Sequence, residues 1–336
     1  VAVELAVVFT NAVLPSLGDH RAVGEISGTG LALGYAGGVL SLIIMLFFFF
    51  DDGGKTFLIG LDPGFGLLDP EAREGTRAVG PLISIWFAVF IVPYFMWVRE
   101  KKTPETKGSF RQSVSELRQS LQDMIKRPSL FAFMGAQMFY RDALNGLYAF
   151  GGVYAVLVLD WGQTQLGVFG VLSSVSAALV TWRSGKYDRQ LGPLPVIHVH
   201  IVVLIIVSIC IIGMSRTSFF GLPLAEGSSF PDILLYICGA AIGGSGGGIY
   251  AASRSMMVRH TNTQRPTEAF GLFSLSGKAT AFLAPLLIGI FTYWLNDVRL
   301  GFIPVVGLFV IGWFLLRWVN PDGDQTGLNT SSKIAY

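Results

Sequence analysis

Residues 99–129 read REKKTPETKGSFRQSVSELRQSLQDMIKRPS, a stretch that is long, basic and partly helical in pattern. Val114, Leu117, Leu121 and Ile125 recur at intervals of three and four, the spacing of one helix face, so this piece is expected to lie along a membrane surface; a solvated linker is the alternative. The sequence on either side is of another kind. Just over half of the 336 residues are hydrophobic and only 14% are charged, against roughly 25% in soluble domains. Apolar runs at 1–17, 28–50, 79–98, 129–159, 164–182, 194–214, 233–257, 270–295 and 300–319 are separated by short polar turns. Runs of about twenty apolar residues match the hydrocarbon thickness of a bilayer. Backbone in lipid must satisfy its own hydrogen bonds, so these runs are read as helices. Three precede the basic stretch and six follow it.

That order sets the layout. Six plus six helices joined by a long basic cytoplasmic loop is the arrangement of the major facilitator superfamily, whose halves are parallel repeats. The fold expected is therefore an all-α polytopic membrane protein of that type, with nine spans and about three N-terminal helices missing. Residues 1–98 form the remnant of an N-terminal half, 99–128 the amphipathic cytoplasmic loop, 129–319 the C-terminal six-helix half and 320–336 a cytoplasmic tail. Sidedness follows from lysine and arginine. Alternate loops, their helix ends and the tail hold seventeen of the twenty-four basic residues and the opposite set five, which places the central loop and C-terminus in the cytoplasm. The glycines of Gly28 to Gly34 and Gly271 to Gly277 recur six residues apart and six spans apart, as equivalent helices of two halves would. The chain opens on valine and its first run has no basic flank, so it reads as cut rather than as a signal peptide. Cys210 and Cys238 fall in apolar runs and read as inert thiols.

Particular residues carry a closer resemblance. Asn11-Ala-Val-Leu-Pro15, Arg21-x-x-Gly24-Glu25-Ile26-Ser27-Gly28, Leu33-Gly34-Tyr35-Ala36-Gly37-Gly38 and FGLFSLSGKATAFLAP from Phe270 to Pro285 resemble the "unknown major facilitator" family, as do Tyr140-Arg-Asp142 and Phe150-Gly-Gly152. Fungal members of that family are vacuolar amino-acid effluxers linked to autophagy, and many bacterial members have no assigned substrate. The resemblance implies a secondary-active transporter in a bacterial cytoplasmic membrane that moves a small polar solute, with amino acids and proton-coupled efflux as the finer expectation. It also implies a gating loop, seen here as Gly185-Lys-Tyr-Asp188-Arg189-Gln-Leu-Gly192 with the second glycine one residue late. With the first three helices absent, the chain alone is not expected to transport.

Charges inside spans are the candidate site. Arg141 lies about eleven residues from the start of its run, or roughly 17 Å at 1.5 Å per residue, near the midplane of a core about 30 Å thick. Insertion of such a residue costs about 2.5 to 3.5 kcal/mol, so Arg141 and Asp142 are expected to face protein or water. Adjacent residues point about 100° apart, so each needs its own partner. Asp142 and Asn145 share a face, as do Arg141 and Asn145. Glu4 and Lys278 bring the midspan set to two acids and two bases. The expectation is that Asp142 binds either a proton or a solute ammonium, Arg141 or Lys278 meets a carboxylate, and Tyr140 and Asn145 stand beside them. A structural ion pair that fixes helix packing is the competing reading. Arg21, Arg254, Arg259 and Arg265 read as solvated orientation signals.

Other motifs fail on spacing. His198 and His200 are two apart on a helix and cannot close on one metal ion. Gly243 and its neighbours follow an apolar helix without Gly-Lys-Ser/Thr, so a phosphate loop is excluded. Gly239, Gly243 and Gly247, like Gly30, Gly34 and Gly38, are spaced at four and are expected to make smooth ridges for close helix packing, with hinge seams for alternating access as the functional reading. No cofactor, metal or nucleic-acid partner is indicated, and no nucleophile, base and orienter set for an enzyme. A membrane scaffold or receptor with the transporter fold is the alternative function.

Overall fold

A computed structural model describes residues 2–49, 51–52, 55–56, 60–69, 71–98, 110–261 and 266–324. The helices are α1 (Ala2–Ala12), α2 (His20–Phe48), α3 (Glu74–Arg77), α4 (Val79–Trp97), α5 (Phe110–Ile125), α6 (Pro128–Leu159), α7 (Gln163–Leu191), α8 (Pro193–Gly213), α9 (Phe230–His260), α10 (Pro266–Ala279), α11 (Leu283–Leu295) and α12 (Ile303–Leu315). Two short hairpins pair β1 (Asp51–Asp52) with β2 (Lys55–Thr56) and β3 (Ser218–Phe219) with β4 (Leu222–Pro223). Among the described residues eight helical stretches are long and apolar enough to cross a membrane, where nine spans are expected. The first run gives only the shorter helix Val3–Ser16, which at 1.5 Å per residue falls short of a core about 30 Å thick.

Helix ends follow local chemistry. α2 starts earlier than its apolar run because the Asp19 carboxylate accepts the backbone N–H groups of Ala22 (2.7 Å) and Arg21 (3.1 Å), two of the donors a helix start leaves unpaired. The Ala22 bond above all holds the Asp19 carboxyl below its usual range. α7 runs on to Leu191, so the expected gating loop is helix from Gly185 through Arg189. Nothing in GKYDRQL breaks a helix, and the chain turns on Gly192 alone, at φ 85°, before Pro193 opens α8. The span 266–295 is interrupted at 280–282, and α11 restarts at Leu283 with Pro285 in its first turn.

The chain divides into two compact units, Val1–Tyr35 with Ser113–Tyr336, and Ala36–Gln112. In the second, the Phe48 and Phe65 rings lie 5.4 Å apart and α4 buries no residue. The first holds a core in which Phe133, Tyr140, Tyr154, Phe270, Phe273, Phe302 and Phe309 are fully buried. In α5, Leu121 and Ile125 are exposed while Met124 packs on this core; residues 99–109 of the basic stretch lie outside the described residues.

Glycines let α9 approach α7. A β-carbon at Gly239 would fall on the Phe169 ring, at Gly243 on the Ser173 carbonyl oxygen and at Gly247 on the Thr181 hydroxyl. At Gly30 and Gly34 of the other expected ridge, added β-carbons meet nothing within 4 Å among the described residues. Spacing at four shows that glycines share a face, and only a facing helix makes that face a seam. Thermal unfolding of the full chain in detergent should therefore separate the two sets. Gly243→Ala is expected to cost about 1 to 3 kcal/mol through overpacking, whereas Gly34→Ala should be neutral or stabilising by up to about 1 kcal/mol from helix propensity. Equal losses at both positions would refute the α7–α9 seam.

Candidate solute site and interhelical seam

The midspan residues of α6 diverge into separate surroundings. Tyr140 is fully buried, and its hydroxyl lies 2.8 Å from Ser253 Oγ on α9. Ser253 itself donates to the Ile249 carbonyl at 2.5 Å, which leaves the tyrosine as donor. Asp142 is 1% exposed, and its Oδ2 accepts the Ala284 N–H at 2.9 Å. Ala284 is the second residue of α11, so the carboxylate meets one of the free N–H groups at the interruption. Its Oδ1 has no hydrogen-bond partner among the described residues. Thr280, inside the interruption, donates to the Met138 carbonyl at 3.3 Å. One turn before Arg141, buried Gln137 donates from Nε2 to the Phe273 carbonyl (2.8 Å) and Ser276 Oγ (2.9 Å) on α10.

Arg141 is directed elsewhere. Its guanidinium carbon lies 5.1 Å from the centre of the Tyr250 ring and 5.7 Å from that of Phe273. A β-carbon at Gly277 would fall on that guanidinium, so the glycine makes the space it occupies. Asn145, one turn on, is exposed. Lys278 pairs with Glu4 at 2.9 Å, both side chains about half exposed (54% and 50%). The two-signed cluster expected of Arg141, Asp142 and Lys278 is thus dispersed. Asp142 is held by α11, Lys278 by α1, and Arg141 has aromatic rings on α9 and α10. The 100° between successive helix residues separates the first pair.

A second group of polar contacts joins the N-terminal helices to α7 and α9. A β-carbon at Gly28 would lie 2.5 Å from the Gly185 α-carbon, so backbone meets backbone there. Asp188 is 1% exposed and presses on α2 where a β-carbon at Gly24 would lie 2.5 Å from its carboxyl carbon. That is the positive end of α2, a favourable setting for a carboxylate. Ser255 donates to the same group at 3.2 Å. Arg189 pairs with Glu25 of α2 at 2.5 Å. Gly192 sits beside the guanidinium of Arg259, which is buried and donates to the Pro321 carbonyl at 2.8 Å. The four residues expected in a gating loop therefore stand at this seam, three of them on helix.

Arg254, expected as a solvated orientation signal, and Asn11 and Ser27, noted only for the family resemblance, meet at this seam. Arg254 donates from Nη1 to Asn11 Oδ1 (3.0 Å), from Nε to Ser27 Oγ (3.1 Å) and from Nη2 to the Ser27 carbonyl (2.6 Å). Ser27 Oγ in turn donates to the Ala251 carbonyl at 2.8 Å. Arg254 and Arg259 are thus not the solvated orientation signals expected, whereas Arg21 is exposed and Arg265 lies outside the described residues. The available signal was position, since Arg254 falls inside the apolar run 233–257. His200 bonds Ser184 at 2.8 Å and His198 the Leu194 carbonyl at 2.9 Å, which are packing roles.

Residues 3–325 match the family described as "Vacuole effluxer Atg22 like". The chain belongs to that family. The Bacillus subtilis protein YxiO, an uncharacterized MFS-type transporter, is 23% identical over 327 residues, which cover 96% of this chain and 69% of the relative. Autophagy-related protein 22 of Cryptococcus neoformans is 21% identical over 296 residues, 85% of this chain and 48% of the fungal protein. The chain thus spans about half the length of that relative. In fold it is similar to the Escherichia coli fucose:proton symporter FucP, at a TM-score of 0.62 and 12% identity over 92% of this chain and 72% of that one. The human organic anion transporter MFSD10 gives 0.53 at 18% identity, covering 93% and 80%. These likenesses establish the major facilitator architecture expected from the order of spans. The protein is an integral membrane protein of a transporter family, not an enzyme.

Asp142 can be tested as the partner of the interrupted helix. In thermal unfolding of the full chain, Asp142→Ala should cost about 1 to 3 kcal/mol by leaving the Ala284 N–H buried and unpaired. Asp142→Asn keeps an acceptor and should lose less. Similar losses in both would show that charge, not the hydrogen bond, matters at this position.

Proposed function

We propose that the chain is the membrane core of a secondary-active transporter that moves a small polar solute by alternating access, with the α2–α7–α9 seam as its closed gate. The observation that carries this reading is the pairing of helices from before and after the long basic loop at one end of the bundle. Arg254 reaches Asn11 and Ser27, Arg189 reaches Glu25, and Gly28 meets Gly185. Such contacts must part if the two halves rock, and each is a single side chain or a glycine face that can part without disturbing a core. The lysine- and arginine-rich central loop supports the assignment of this end to the cytoplasmic side. Asp142, with one oxygen on α11 and the other without a partner among the described residues, is the candidate proton carrier, and amino acids are among the candidate solutes. The same contacts as permanent locks would make a scaffold or receptor instead.

Cross-linking separates these readings. Glu25→Cys and Arg189→Cys, with Cys210 and Cys238 replaced by serine, would be joined by a short reducible thiol reagent in proteoliposomes of the full-length protein that contains this chain. Uptake of labelled amino acids and small organic acids should fall about tenfold or more on bridging and return on reduction, since the gate can no longer open. Uptake that survives bridging refutes the gate, and no uptake of any solute supports the scaffold. In the same vesicles Asp142→Asn should flatten the dependence of uptake on a pH gradient. An unaltered dependence would remove Asp142 from coupling.

A further inference from the structure

The two arginines that share the Tyr250 ring are used differently. Arg254 lies 5.4 Å from the ring centre and commits Nε, Nη1 and Nη2 to Ser27 and Asn11. Arg141, on the same ring at 5.1 Å, makes no hydrogen bond and no ion pair among the described residues and is partly exposed. A guanidinium carries five donors in a planar fork. Tyr250 and Phe273 hold it through their faces and leave its edge free. Ring faces give the cation no counter-charge, and an unpaired cation inside a span is costly. A carboxylate is what the arrangement lacks, and among the described residues no acid pairs with Arg141. Asp142 faces α11, Glu4 is paired with Lys278, and Asp188 is pressed on α2.

We propose that Arg141, set by Gly277 and backed by the Tyr250 and Phe273 rings, binds the carboxylate of a small organic acid, and that this site requires no ammonium on the solute. The proposal rests on the transporter reading and names the solute class of the same site. A fork of N–H donors matches a carboxylate in two parallel bonds. The ring faces offer apolar surface to the rest of such a solute, and the amide of Asn145 one turn away offers a further polar contact. An ammonium would meet two guanidiniums on one ring, while the Asp142 carboxylate is turned to α11, so a zwitterion gains from its acid end alone. Gly277 is necessary because any β-carbon there would push the guanidinium off its rings.

Three solutes of matched shape test this by equilibrium binding to the full chain in detergent, independently of flux: 3-phenylpropanoate, phenylalanine and phenylalaninamide. The first two are expected to bind and the amide is not. Arg141→Gln should weaken binding of 3-phenylpropanoate by about tenfold or more, the loss expected for hydrogen bonds to a charged group. Gly277→Ala keeps the arginine but displaces it, and should weaken binding similarly if Arg141→Gln fails to fold. Binding of phenylalanine without 3-phenylpropanoate, binding of the amide, binding untouched by either variant, or no binding of all three would each overturn the site. Binding with the expected pattern but no uptake in vesicles would uphold the site and refute transport.

Discussion

A carboxylate in the middle of a spanning helix must be met by donors from protein, since lipid offers none. Here Asp142 meets a donor that exists only because another span is broken. An unbroken helix through 280–282 would bond the Ala284 N–H to a carbonyl of its own preceding turn. The interruption frees it, and the carboxylate on α6 takes it. The same contact fixes α6 against α10 and α11, with Gln137 binding α10 and Thr280 returning a bond to the Met138 carbonyl. Once Asp142 is committed in that direction, helix geometry turns Arg141 towards Tyr250 and Phe273. The cationic face is thus a consequence of where the acid points.

The seam follows a second rule of packing in lipid, that small residues bring backbones together so that polar groups can reach across. Gly28 and Gly185 meet through their backbones, and within one turn of them lie the Asp188 contact at Gly24 and the Arg254 bond to the Ser27 carbonyl. Without the glycines the helices would stand apart and these side chains would face nothing. Further along α9, Gly243 and Gly247 hold α7 equally close by the same means. α7 therefore meets both α2 and α9, with Asp188 touching each, so movement of the N-terminal helices would be felt through it.

Much of this was legible in the sequence because it is dictated by solvent. Apolar length gave the spans, and midspan charge singled out Arg141 and Asp142. What was not legible depends on which surface faces which. The spacing of Gly30 and Gly34 equals that of Gly243 and Gly247, yet among the described residues the latter pair alone meets a facing helix. Polar letters in KYDRQ suggested a loop, although a helix emerging from a membrane carries polar residues on its last turns as readily. The partners of Arg254 come from residues more than two hundred positions away, and no local pattern could pair them. Its place inside an apolar run was nonetheless the same signal that drew attention to Arg141, and it was read there as a helix end.

Comparison of these two arginines shows how similar chemistry serves different ends. Both lie over Tyr250, so the aromatic contribution does not distinguish them. Arg254 donates to neutral oxygens of the N-terminal helices, and such bonds, worth about 1.5 to 3 kcal/mol each when one partner is charged, hold only while those helices stay in place. Rocking of the halves would strip Arg254 of its partners and leave a second bare guanidinium beside the first. A carboxylate on Arg141 would lessen that cost, because a neighbouring negative charge stabilises an exposed cation in a medium of low dielectric. The solute and the seam would then be linked through one tyrosine ring, with anion binding favouring the state in which the gate contacts are broken.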